Sequence, residues 1–125
     1  MKHDEFLTKV GQRADVSLET AEGLSAATLR TLAERISGGE AATLAAQLHA
    51  ELKPYLTGAS EPAESFDAED FVRRVGERAG AEEATARTGA QAVFTTLREV
   101  VDGGSMQDVR AQLSRDYDAL VGARG

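Results

Sequence analysis

Few side chains in this chain could do chemistry. There is no Cys, so thiolate nucleophiles, disulfides and thiolate metal sites are excluded. The only histidines are His3 and His49. No Asp or Glu stands three or four residues before His49, so it has no helical His/carboxylate metal pair, and Glu51 and Lys53 are near it without ligand spacing. Neither a phosphate-binding Gly-x-x-x-x-Gly-Lys-Ser/Thr loop nor a dinucleotide-type Gly-x-Gly-x-x-Gly is present. What remains is a set of polar residues recurring at one interval: Arg13 and Arg78, Glu34 and Glu99, Gln47 and Gln112. An arginine and a glutamate in each copy could converge on a ligand. The plainer expectation is a salt bridge inside each copy, Arg13 with Glu34 and Arg78 with Glu99, tying its first helix to its second. The two glutamines border an apolar stripe, where an amide can satisfy carbonyls at a turn or across a helix. With His49, these six residues are the candidate ligand-binding set. No catalytic, cofactor or metal-binding residue is assigned.

The interval is a property of the whole chain. Shifted by 65 residues, the sequence aligns to itself without a gap: Phe6 on Phe71, Val10 on Val75, Gly11 on Gly76, Thr31-Leu32 on Thr96-Leu97, Gly38-Gly39 on Gly103-Gly104, and Ala46-Gln47-Leu48 on Ala111-Gln112-Leu113. Sixteen positions of residues 5–58 are identical to their counterparts. This is the signature of an internal repeat. Copies over 3–58 and 68–123 are expected, joined by a linker at 58–66 that holds Gly, Ser and Pro62. Each copy of about 60 residues is marginal for a core of its own, so one compact domain over 1–125 is expected.

Each copy reads as three helices, which predicts an all-α, six-helix bundle of two tandem, pseudo-symmetric three-helix repeats. Phe6, Leu7, Val10 and Ala14 mark a helix over 3–14. Ser17 is placed to cap a second helix running to about Ser37, with Ser25, Leu29, Leu32 and Ile36 on one side. Gly38-Gly39 is expected to end it with a left-handed cap. Glu40 then opens a third helix with Leu44, Leu48, Leu52, Tyr55 and Leu56, kinked near Leu52-Lys53 by Pro54. In the second copy Asp67 is placed as an N-cap, with Phe66 and Phe71 as a hydrophobic staple, and Ser105 as the cap of the last helix. Gly11 and Gly76 lie mid-helix, where glycine costs about 1 kcal/mol relative to Ala. A close approach by a neighbouring helix is the expected reason.

The segment from Thr28 to Leu48, with Leu32-Ala33-Glu34-Arg35-Ile36, Gly39-Glu40-Ala41 and Leu44-Ala45-Ala46-Gln47-Leu48, resembles a bacterial family catalogued as domain of unknown function 2267. His49 stands where that family often has Pro, and the second copy keeps Gly103-Gly104 and Ala111-Gln112-Leu113 but loses the Glu-Ala. The resemblance covers nearly the whole chain. It implies an all-helical fold of two related halves and brings no activity with it.

Composition narrows the function classes. Lys plus Arg number 14 against 21 Asp plus Glu, a net charge of −7 shared by both halves. That balance repels phosphate, so nucleic acid is not expected as a partner. No apolar run approaches the roughly 18 residues of a membrane span, and Met1-Lys2-His3-Asp4-Glu5 does not read as a secretory signal. A cytoplasmic location is the default. Residues 41–52 are apolar nearly all round, whereas 106–117 interpose Asp108, Arg110, Arg115 and Asp116, which hints at a contact surface on the first copy. The first reading is therefore a non-enzymatic interaction or regulatory module with a protein partner or a second copy of itself. The second is a small-molecule binding protein with a pocket between the copies, lined by Arg13, Arg78, Phe6 and Phe71.

Overall fold

The computed structural model describes residues 1–57 and 63–122; residues 58–62 of the expected linker, and residue 123 of the second copy, lie outside the described residues. The described chain is all-helical, without a strand. It has eight α-helices rather than six: α1 (His3–Ala14), α2 (Leu18–Arg35), α3 (Gly38–Ala45), α4 (Lys53–Thr57), α5 (Ala68–Ala79), α6 (Glu83–Val100), α7 (Gly103–Ala111) and α8 (Asp118–Val121), with a 3-10 turn at Arg115–Tyr117. Helices α5 to α8 each begin 65 residues after α1 to α4.

The first helix of each half forms as its pattern predicts. Phe6, Leu7, Val10 and Ala14 are buried on α1, as are Phe71, Val72 and Val75 on α5. Ser17 caps α2 by accepting from the Thr20 amide at 3.2 Å, and Asp67 caps α5 by accepting from the Asp70 amide at 2.8 Å. The Phe66 and Phe71 rings stack with centroids 6.4 Å apart, the predicted staple.

The turns differ from expectation. Helix α2 stops at Arg35, and Ile36 and Ser37 are extended. Gly38 and Gly39 do not end α2 with a left-handed cap; they form the first turn of α3 at negative φ. The cap belongs to Ser37, which accepts from the Glu40 amide at 3.2 Å. In the second half Asp102, not Ser105, is the cap, and Ser105 supplies the amide it accepts, at 2.8 Å. Two extended residues turn the chain sharply while keeping Ile36 and Val101 buried, so no glycine is needed to reverse it.

The third helix is broken, not kinked. Helix α3 ends at Ala45, and turns lead to α4 at Lys53. Pro54 is the second residue of α4, where an amide has no intrahelical partner to lose. The second half breaks at the same place, with Ala119 where the first has Pro54. Proline is therefore not the cause. The break lets Leu48 and Leu52, and likewise Leu113 and Tyr117, all turn inward to 5% exposure or less.

One apolar core draws on every helix. Helix α1 packs on both α2 and α6, α5 packs on both α6 and α2, and α2 crosses α6. Each first helix therefore lies between the second helices of the two halves. The mid-helix glycines make the expected close approach, though chiefly to a turn. A Cβ at Gly76 would sit 2.9 Å from the Ala81 carbonyl oxygen and 3.5 Å from the Ala86 methyl; at Gly11 the distances are 3.1 Å to the Val16 carbonyl and 3.7 Å to the Ala21 methyl.

Candidate functional site

The spaced arginines and glutamates meet, but not in the expected pairs. Arg13 at the end of α1 reaches α6, donating to Glu99 and to the Thr96 hydroxyl, both at 2.8 Å. Arg78 at the end of α5 reaches α2, donating to Glu34 at 2.6 Å and to the Thr31 hydroxyl at 2.8 Å. The pairings Arg13–Glu34 and Arg78–Glu99 do not form. Because α1 lies along α6 and α5 along α2, each arginine lies nearest the glutamate of the other half. The two threonines complete the cradle by donating to the carbonyls of Ala27 and Ala92.

The glutamines repeat the exchange. Gln47 accepts from the Asp102 amide at 2.8 Å and donates to the Ser105 hydroxyl at 2.9 Å. Gln112 accepts from the Ser37 amide at 2.7 Å and donates to the Ser37 hydroxyl at 3.3 Å. Across the halves their oxygens serve backbone amides at the start of α7 and α3; of the carbonyls expected, Gln47 reaches one, donating to Thr43 of its own half at 3.3 Å. The amide of an N-cap residue lies outside the helical ladder, so a side-chain oxygen from the opposite half satisfies it.

Electrostatics follow these contacts. The hydrogen bond from Arg78, opposed by burial, holds the Glu34 carboxyl below its ordinary value, with Arg74 adding to the effect. The hydrogen bond from Arg13 does the same for Glu99, and Glu99 holds the Arg13 guanidinium above its own. On the Glu34 side the network is wider. Arg74 stacks 3.8 Å over the Phe66 ring and pairs with Glu34, Glu64 and Asp70. Burial opposes its charge, but hydrogen bonds to Glu64, Asp70 and Glu34 outweigh that and raise its pKa. Arg35 donates to the carbonyls of Phe66 at 2.9 Å and Gln112 at 2.7 Å, and lies 5.4 Å over the Tyr117 ring. Burial pushes the Tyr117 phenol up, and its hydroxyl donates to the Phe66 carbonyl at 2.7 Å.

His49 stands apart from this seam, exposed in the turn after α3, with Nδ1 2.9 Å from Glu51. It shares a surface hollow of about 310 Å³ with Lys2, His3, Asp4 and Glu51, and His3 Nδ1 is buried there without a hydrogen-bond partner. The glutamate's counterpart, Asp116, instead accepts from the Ala68 amide at 2.7 Å. Phe6 and Phe71 are 2% and 0% exposed, so they are core residues and do not line a pocket with Arg13 and Arg78. Among the described residues no group of three or more His, Asp or Glu is placed to hold a metal ion, and no helix is long and apolar enough to cross a membrane.

Several residues of the seam escaped the sequence reading. Thr31 and Thr96 carried a signal, since together they form one identical 65-spaced pair. Ser37 and Asp102 play one role with different residues, so identity could not reveal them. Arg35 carried none, because its counterpart is Val100. A comparison with curated proteins returns no match. Over residues 3–120 the chain matches the model of the uncharacterized conserved proteins DUF2267, and it belongs to that family.

Proposed function

We propose that this chain is a non-catalytic helical interaction module, built as two crossed repeats of four helices in one compact domain, that works through its outer surface and associates with a second copy of itself. One observation carries the reading: Arg13, Arg78, Glu34, Glu99, Gln47 and Gln112 are all engaged in ties from one half to the other. The polar groups that repeat at 65-residue spacing thus serve architecture. The 65-residue offset between corresponding helix starts supports the repeat, and the reciprocal ties support an approximate twofold relation between its copies.

The contact face in this reading is the outer side of α3, where Gly39, Ala42, Thr43 and Ala46 are exposed. Small side chains lose little conformational entropy on contact and allow close approach. Sedimentation velocity from micromolar to near-millimolar protein tests it. A sedimentation coefficient that rises with concentration, and falls back in Ala42→Arg and Ala46→Arg without loss of melting temperature, is the expected result. One concentration-independent monomer removes self-association.

A second reading, a small-molecule binder, draws on the hollow shared by His3 and His49 and its unpartnered Nδ1. Titration with metabolite mixtures, followed by the histidine ring NMR signals, tests it; unmoved signals remove it.

A further inference from the structure

The two halves treat the start of their first helix differently. In the second half two carboxylates hold it. Asp67 accepts from the Asp70 amide at 2.8 Å, and Asp116, in the 3-10 turn before α8, accepts from the Ala68 amide at 2.7 Å. Those are amides that a helix leaves without an internal partner. The counterparts of Asp67 and Asp116 in the first half are Lys2 and Glu51. Lys2 gives α1 no side-chain cap, and the Glu51 carboxylate faces His49 Nδ1 at 2.9 Å. In the place of Ala68 stands His3, whose Nδ1 is buried without a partner.

The hollow between these elements is faced by Lys2, His3 and Asp4 from the start of α1 and by His49 and Glu51 from the turn after α3. Its charge changes in a range where the second half's does not. Imidazoles gain or lose a proton between about pH 5 and 8. Asp116 is held below the ordinary carboxylate value, chiefly by its bond from the Ala68 amide, and so stays ionised across that range. Glu51 is held low by the hydrogen bond from His49, and His3 adds to the effect across the hollow. With both imidazoles neutral, Asp4 and Glu51 outnumber Lys2. With both protonated, Glu51 stands between two new cations. A protonated His3 also carries a donor that needs an acceptor, and a positive charge at the positive end of α1 that a carboxylate must offset.

We propose that these residues form a pH-operated clasp: protonation of His3 and His49 draws Glu51 between them and fastens the first turn of α1 to the turn after α3, and deprotonation releases it. The first half thus carries a switchable version of the tie that Asp116 makes permanently in the second. The proposal does not rest on association through α3, and it needs no bound molecule.

The test follows the Phe6 amide of the full chain, which donates to the Lys2 carbonyl at 3.0 Å in the first turn of α1. Water-exchange NMR gives its protection relative to an unstructured amide at the same pH, once at about pH 8 and once at about pH 5.5. Protection should rise about two- to fivefold at the lower pH, the size appropriate to exposed charge pairs. The Phe71 amide makes the same bond in the second half, to the Asp67 carbonyl at 3.0 Å, and should stay level. The rise at Phe6 should vanish in Glu51→Gln and in His3→Gln. Glu51 is exposed, so its variant keeps the fold, and an unchanged Phe71 amide verifies that. The clasp is overturned if Phe6 protection stays level or falls on acidification, if Phe71 protection rises with it, or if the rise survives in either variant. Because no ligand is added, a response here is distinct from one produced by a molecule binding in the hollow.

Discussion

Helix α3 turns Gly39, Ala42, Thr43 and Ala46 outward, where α7 turns Gly104, Gln107, Asp108 and Ala111. At the α1–α2 corner Val16 and the 59%-exposed Leu18 rim a hollow of about 370 Å³; its counterpart of about 380 Å³ is rimmed by Ala81 and Glu83 and flanked by Arg73 and Glu77. At these two places the first half is the less charged, α3 presenting small uncharged side chains where α7 presents Gln107 and Asp108, and the first hollow Thr8 and Gln12 where the second has Arg73 and Glu77. Between the halves most residues recur or complement one another: Arg13 and Arg78, Glu34 and Glu99, Thr31 and Thr96, Gln47 and Gln112, and Leu24 against Gly89, with Arg35 and its counterpart Val100 the exception. A side chain that must fit its own counterpart's neighbourhood is constrained twice, whereas one that meets water is constrained only by solubility. The difference teaches that mutual recognition of the halves holds the seam residues in common while the outer faces diverge.

That comparison can be broken most forcefully at the paired glycines. Gly76→Ala should destabilise by about 1–2 kcal/mol, the clash with the Ala81 carbonyl outweighing better helix propensity. Gly11→Ala, with 3.1 Å instead of 2.9 Å to its carbonyl, should lose less. Urea unfolding measures both, and stabilisation of either refutes the close approach. Buried hydroxyls come next. Ser25 Oγ and Thr28 Oγ1 are buried without a partner, and the second half has Ala90 and Val93 there. Thr28→Val should stabilise by about 1 kcal/mol, since an unsatisfied group is removed. Thr31→Val, which deprives Arg78 of an acceptor, should destabilise, and thermal melts separate the two.

The crossing itself is tested by a double-mutant cycle. Arg78→Ala with Glu34→Ala should show coupling of about 0.5–1 kcal/mol, appropriate to a partly exposed pair. Arg13→Ala with Glu34→Ala should show none; coupling there would restore the within-half pairing. Smaller again is Asp15, held at φ 57° where its counterpart Gly80 has φ 65°. Asp15→Gly should stabilise by roughly 0.5 kcal/mol, and Gly80→Asp should do the reverse.

The pH response has a definite sign. The Glu34 carboxyl is lowered from 4.5 in the folded protein by Arg78, so its contribution is complete above that ordinary value and is lost as pH falls through the lowered folded one. A carboxyl NMR titration should place Glu34 below 4.5, moving upward in Arg78→Ala and staying put in Arg13→Ala. Movement in Arg13→Ala instead would refute the crossed arrangement.

Helices α1, α2, α5 and α6 were legible because their signals are local: an apolar face at helical spacing in each, Ser17 before α2, and Asp67 with the Phe66–Phe71 staple at α5 all act within a few residues. The turns were less so. Gly38-Gly39 reads as a stop by propensity, yet the halves pack so that Ile36 must stay buried, and that demand moved the turn one step earlier. Pro54 suggested a kink by its chemistry. The break proved independent of it, because the second half, lacking the proline, buries Leu113 and Tyr117 by the same device. At the seam the recurring types were visible, but their partners were not, since spacing alone is satisfied equally by a bond within a half and one across it.

By itself the sequence determined that the chain is helical, that the same pattern occurs twice 65 residues apart, and which polar groups recur. These are consequences of periodicity and side-chain chemistry, which act over a few residues. Only the tertiary structure decided that the halves cross, so that Arg13 meets Glu99 and Leu24 meets Gly89. That choice belongs to the packing of whole helix faces, where the burial of α1 against α6 and of α5 against α2 selects one pairing among those the local signals allow equally.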